Sequence, residues 1–354
     1  MAPMGRMFAN DHVPHEAAAA YYRRRAEGGV GLIITEATGI DHRLLPDHGG
    51  IPIMGGDLAP ARWRQVVDQV HQAGGKIMLQ LFHQGMLRGG SIGDGHMESL
   101  RPSGTIGEAG PNSYAAAFVE AAQTPTAAMS DSDIQEAIDG FCRSAALAKT
   151  LGFDGIEIHG AHGYLIDSFL WVKSNTRNDH YGGNIHRRTN LAVEIVKKIR
   201  QEVGKEYPLF FRFSQHKSHN YAATLANTPD ELEQYLGPIA DAGVDVLDAS
   251  MRRFYQPAFE GSPLNLAGWA KKLTGKPSIA VGSVGLNFTA SDTFLNRDGL
   301  AENNIPLLME RFNQGEFDLV SIGRSLISDP DYVNKLKTGE AVIAFSKEAL
   351  NTLI

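Results

Sequence analysis

One cysteine, Cys142, stands in a chain of 354 residues. No disulfide can form within it, and four of its own thiolates cannot hold an iron–sulfur cluster. No apolar run approaches the roughly 20 residues needed to cross a bilayer. The first residues lack the charged-then-apolar pattern of an export signal, so the expected location is the cytoplasm. The formal charge of −7 is not gathered into long runs, so neither nucleic acid nor an anionic membrane is an expected partner. A glycine-rich βαβ dinucleotide fingerprint is also missing. What remains is a hydrophobic fraction of 43% and a charged fraction of 21%, the make-up of a folded domain with a sizeable core.

Short β-branched runs alternate with amphipathic segments along the whole chain, the pattern of repeated β-then-α units around a parallel sheet. The predicted strands are Met1–Pro3, Gly31–Glu36, Lys76–Phe82, Gly155–His159, Leu209–Ser214, Asp245–Ala249, Ser278–Gly282 and Leu319–Gly323. Ser132 with Gln135 reads as a capping box ahead of Ile134, Ile138, Phe141 and Ala145. Thr228, Pro229 and Glu231 open another helix carrying Leu232 and Leu236. Eight such units predict an α/β fold, a single (β/α)8 TIM barrel over residues 1–354. Residues 84–130, rich in Gly, Ser and Pro, are too long for an ordinary βα connection and predict a cap over the rim. The chain starts inside its first predicted strand, which predicts a shortened N-terminus.

In such a barrel the groups that do chemistry sit at the C-terminal ends of strands. Ile156–Leu165, reading IEIHGAHGYL, delivers His159, His162 and Tyr164 to one such end. Two imidazoles and a phenol offer hydrogen-bond donors and a proton source for a carbonyl compound. Other strand ends add Gln80, Arg212, Gly282, Gly323 and Arg324. Alone, each has an ordinary structural account as a surface amide, an ion-pair partner or a steric glycine; their shared address makes a site. Gly282-Ser283 and Gly323-Arg324 follow the last two strands, where barrels commonly bind phosphate, and predict a phosphate-bearing cofactor.

The chain resembles the old yellow enzyme family of flavin-dependent ene reductases over nearly its full length. The motifs that carry the resemblance are MAPMGR at 1–6, TEAT at 35–38, LQLFHQG at 79–85, IEIHGAHGYL, NDHYGGN at 178–184, FRFS at 211–214 and LVSIGRSLISDPD at 319–331. The resemblance implies FMN at the mouth of the barrel and NADPH or NADH as electron donor. Gln80 would meet the pyrimidine edge, and Arg212 the N1/O2 side, where positive charge stabilises the anionic reduced flavin. Gly282, Ser283, Gly323 and Arg324 would hold the phosphate, while Pro3, Met4 and Ala37 would give mainly backbone contacts. His159 and His162 would bind the carbonyl oxygen of an α,β-unsaturated substrate, each donor worth ~3 kcal/mol as enolate charge develops. Tyr164 would protonate the α-carbon. Two departures stand out. Gly5 sits where the family usually has a Thr or Cys that touches the flavin, which predicts altered reduction kinetics. NIHRR at 184–188 differs from the usual stretch, and no role is carried onto His186 or Arg187.

The larger relatives that carry an iron–sulfur domain are disfavoured by the lone cysteine. Two other readings stay open at this level: a metal-dependent hydrolase using His83, His159 and His162, and a flavin-binding protein with impaired catalysis. His83 reads equally well as a structural histidine under the cap. Arg252, Arg253, Phe254 and Tyr255 form either an aromatic wall over the cofactor or a packed loop. The expected partner is a small enone- or enal-type molecule, and a homo-oligomer is compatible with the sequence.

Overall fold

The computed structural model describes residues 1–289, 292 and 302–353. Among them eight strands form, all paired in parallel: β1 (Leu32–Ile34), β2 (Thr38–Gly39), β3 (Lys76–Phe82), β4 (Gly155–His159), β5 (Leu209–Ser214), β6 (Val246–Ser250), β7 (Ser278–Val281) and β8 (Leu319–Ser321). Neighbours run β1-β3-β4-β5-β6-β7-β8, with β2 added to β3. Strands β4 to β7 are buried at every residue. This is why their sequences are near-continuous apolar runs: helices cover one face and the barrel interior the other.

Met1–Pro3, the first predicted strand, is not a strand. Met1 and Ala2 nevertheless fill the seam between β1 and β8. The Met1 nitrogen donates to Leu32 O at 2.6 Å, Ile34 N donates to Met1 O at 3.2 Å, and Ala2 N donates to Ile322 O at 2.8 Å. Pro3 has no N–H to continue such a ladder. The eighth strand is β2, beyond the end of the predicted Gly31–Glu36.

The helices of the regular alternation are α1 (Ala18–Glu27), α2 (Ala59–Gln72), α3 (Ala116–Ala122), α4 (Asp131–Thr150), α5 (Leu165–Leu170), α6 (Ile185–Arg188), α7 (Asn190–Val203), α8 (Pro229–Asp241) and α9 (Leu266–Thr274). Helix α4 starts two residues earlier than Ser132 implies. Ser130 is its cap, accepting from Asp133 N at 3.2 Å while the Asp133 carboxylate accepts from Ser130 N at 2.9 Å. Aspartate at the third position closes the box as glutamate would, and Gln135 instead donates to Asp139. Helix α8 opens as expected on Thr228, with Pro229 in the first turn. Ile134, Ile138, Phe141 and Ala145 are buried, as are Leu232 and Leu236; each large side chain removed from water contributes about 1.5–3 kcal/mol. No helix among the described residues is long and apolar enough to cross a membrane.

The connection from β3 to α4 crosses the rim. Met86, Leu87, Ile106, Phe118 and Ala122 give it a small apolar core of its own. Buried Asp47 anchors its first turn, accepting from Gly89 N at 2.9 Å, Ser91 N at 2.8 Å and Gln84 Nε2 at 2.7 Å. Its middle is stitched to the loop after β5. Gly110 N donates to His219 O, Tyr221 N to Pro111 O, and the hydroxyls of Ser113 and Tyr221 meet at 2.7 Å.

Candidate functional site

Parallel register brings the predicted residues to one rim. Gln80 pairs with Glu157 across β3 and β4, His159 with Arg212 across β4 and β5, and Arg212 with Asp248 across β5 and β6. His159 is buried, and its Nδ1 accepts from Ala161 N at 3.3 Å. A ring nitrogen that accepts carries no proton, so Nε2 is the N–H donor. Burial first, and then the Arg212 charge, hold the His159 pKa down to about 3, so the ring is a neutral donor at any physiological pH. His162 lies 5.0 Å away between ring centroids. It sits in the left-handed region at φ 65°, with Gly163 following at φ 83°. Its Nε2 is 2.7 Å from Ser250 Oγ, which leaves Nδ1 for another partner.

Tyr164 follows this turn, 5.0 Å from His159 and 5.4 Å from Phe82 between ring centroids. Burial pushes its pKa up to about 12, against a hydrogen bond with Tyr114 that lowers it. Tyr114 comes from the connection over the rim, where its ring packs on Gly90 and Phe118. No motif marks it; a tyrosine in a Gly/Ser/Pro-rich segment is the only trace it leaves in the sequence.

The turn is held from below by an ion pair the sequence does not announce. Asp167 accepts from Gly163 N at 2.6 Å and from Lys217 Nζ at 2.7 Å, and both charged groups are fully buried. Removing one partner would leave the other charged in the interior, a loss on the order of 3–5 kcal/mol.

Inside the barrel, one layer below the rim, lie two more unannounced acids. Glu157 accepts from Gln80 Nε2 at 2.7 Å, and Asp248 lies 3.4 Å from Arg212 Nη1. Arg212 Nη2 donates to Ser250 Oγ at 3.2 Å, but its Nε and Nη1 have no hydrogen-bond acceptor among the described residues. A buried guanidinium with unused N–H groups fits an electron-rich ligand edge above it.

The remaining predicted residues fall into two groups. Met4 and Gly323 adjoin, with Met4 Sδ 3.1 Å from where a Gly323 Cβ would stand; Gly5 is exposed, with open space around it. Pro3 and Ala37 are partly buried. Gly282 adopts φ 141°, and a Cβ there would meet Met251 O at 2.6 Å. Ser283 Oγ lies 2.7 Å from Phe288 O, and Arg324 donates to Phe288 O and Thr289 O at 2.8 Å each. Both therefore converge on the loop after β7, part of which lies outside the described residues.

His83 does not join His159 and His162. It packs edge-on against His42 at 4.6 Å, and its Nδ1 accepts from Gly85 N. Among the described residues no three groups are gathered as metal ligands. Phe254 is fully buried and Tyr255 packs edge-on against it, so this stretch is a packed loop, with Arg252 over the Tyr221 ring.

Residues 1–342 match the model of the NADH:flavin oxidoreductase / NADH oxidase family. An NADH oxidase of Thermoanaerobacter brockii is 33% identical over 348 residues, 96% of this chain and 48% of that protein. The chain thus spans about half of that relative. An NADPH dehydrogenase of Clostridium acetobutylicum is 31% identical over 348 residues, 94% of this chain and 88% of the relative. The structure of an old yellow enzyme homologue from Zymomonas mobilis superposes with a TM-score of 0.78 at 25% identity, covering 99% of this chain and 91% of the other. The barrel agrees with these likenesses, and the chain belongs to the NADH:flavin oxidoreductase / NADH oxidase family of old yellow enzymes.

Proposed function

We propose that this chain is an FMN-dependent NAD(P)H oxidoreductase that reduces activated C=C bonds of α,β-unsaturated carbonyl compounds. The observation that carries the reading is Arg212: a buried cation with two unsatisfied N–H-bearing nitrogens beside a neutral His159 donor. FMN, reduced by NADH or NADPH, would supply the hydride. Gln80 and Arg212 would hold its pyrimidine side, and Gly282, Ser283, Gly323 and Arg324 its phosphate. Pro3, Met4, Gly5 and Ala37 would give backbone contacts. His159 Nε2–H and the free nitrogen of His162 would donate to the substrate carbonyl. Donors fixed before the reaction need no reorganisation as negative charge builds on that oxygen. Tyr164, protonated well beyond neutral pH, would pass its proton to the α-carbon.

The test is an absorbance spectrum of the purified protein, followed by anaerobic NADPH and then cyclohexenone. A flavin spectrum that bleaches and then returns supports the reading. A protein that cannot take up added FMN, or whose reduced flavin ignores the enone, overturns it.

A further inference from the structure

Two carboxyl groups at the centre of a barrel are costly, and Glu157 and Asp248 are both fully buried. They come from β4 and β6, alternate strands that fill one interior layer. Glu157 Oε1 takes the Gln80 amide, while Glu157 Oε2 and both Asp248 oxygens have no hydrogen-bond partner among the described residues. Burial and the neighbouring Asp248 both raise the proton affinity of Glu157, and two buried acids with unpaired oxygens beside a single guanidinium hold one proton between them. The pair then bears a single negative charge facing Arg212, while the buried Met1 nitrogen, which also neighbours both acids, is pushed down to about 5 by burial. The consequence reaches Gln80. An amide whose Nε2 is tied to a carboxyl oxygen cannot flip, so Oε1, which has no donor among the described residues, is fixed as an acceptor.

We propose that Glu157, braced by Asp248 through a shared proton, is a positioning residue that locks Gln80 to accept an N–H from the cofactor's pyrimidine edge. This rests on the reading that FMN binds at Gln80 and Arg212. Burial raises the proton affinity of both acids, as a shared proton requires.

The experiment titrates apo-protein with FMN and with N3-methyl-FMN, followed by flavin fluorescence. Wild type is expected to bind the methylated flavin at least about tenfold more weakly, the loss of one well-placed hydrogen bond. Glu157→Gln keeps an acceptor for Gln80 and places an N–H where the proton lay, so it should keep that preference. Glu157→Met removes the acceptor and should narrow the preference below about threefold; a Glu157→Met protein as selective as wild type overturns the proposal. Should that variant fail to fold, the midpoint potential of bound FMN decides. Glu157→Gln and Asp248→Asn each mimic one placement of the proton and should leave the potential unchanged. The double variant loses the negative charge and should raise it by about 30 mV, tenfold in a two-electron equilibrium. A shift in either single variant, or none in the double, overturns the shared proton. Wild type that binds both flavins equally removes the Gln80 reading together with the proposal, and wild type that binds neither removes the cofactor.

Discussion

Tyr164 keeps its proton up to about 12 and His159 stays neutral down to about 3, so neither changes state in the working range. The step that reoxidises the flavin with cyclohexenone should be flat between about pH 5 and pH 10; a break near pH 6.5 in stopped-flow traces would mean that an imidazole titrates during turnover. Tyr164→Phe should slow that step by about 10²-fold or more while leaving reduction by NADPH intact. An unchanged rate removes the proton-donor role. Gly5→Thr meets no neighbour within 4 Å, so it should fold like wild type yet change the rate of flavin reduction; identical reduction traces would show that position 5 does not reach the cofactor. At this scale the sequence was readable where residues act from one segment, as His159, His162 and Tyr164 do. Tyr114, Asp248 and Lys217 were not readable, because each matters through a partner far away in the chain. Glu157 left a faint signal: a lone acid inside the apolar run IEI is out of place in a strand buried on both faces.

Among the elements, the long strands could be read directly from the sequence. Lys76–Phe82, Gly155–His159 and Leu209–Ser214 have the predicted limits, because burial on both faces forces continuous apolar runs. The ends of the barrel were harder. Met1–Pro3 fails as a strand for want of a proline N–H, and β2 is only two residues long. The α4 cap was misread by two residues because aspartate does the work expected of glutamate or glutamine. The rim connection depends on Asp47, whose loss would strip an acceptor from three donors. Asp47→Ala should cost on the order of 2–3 kcal/mol and expose residues 84–130 to limited proteolysis. Equal denaturation midpoints and equal digestion would show that the connection is held by its apolar core instead.

For the whole molecule, acid is the vulnerability. His42, His83, His159, His162, His216 and His219 are all held below the ordinary histidine value, mainly by burial. As pH falls through about 6.5, the unfolded chain takes up protons that the folded one refuses, and stability drops. Glu36, raised to about 7, and Glu157, Asp167 and Asp248, also raised, act in the opposite sense. The folded protein protonates them first, until unfolded carboxyls follow near about pH 4. The expected profile is a shallow fall from pH 6.5 to about 4.5 and a steep one below it. Urea midpoints at pH 7, 5 and 4 check it, and a midpoint that rises between pH 5 and pH 4 contradicts it. The stitching between residues 106–113 and 219–221 has a practical corollary for anyone reshaping substrate scope. These two loops form one exchangeable cassette: grafting either alone from a relative would leave main-chain groups without counterparts, so donor loops need to be moved as a matched set.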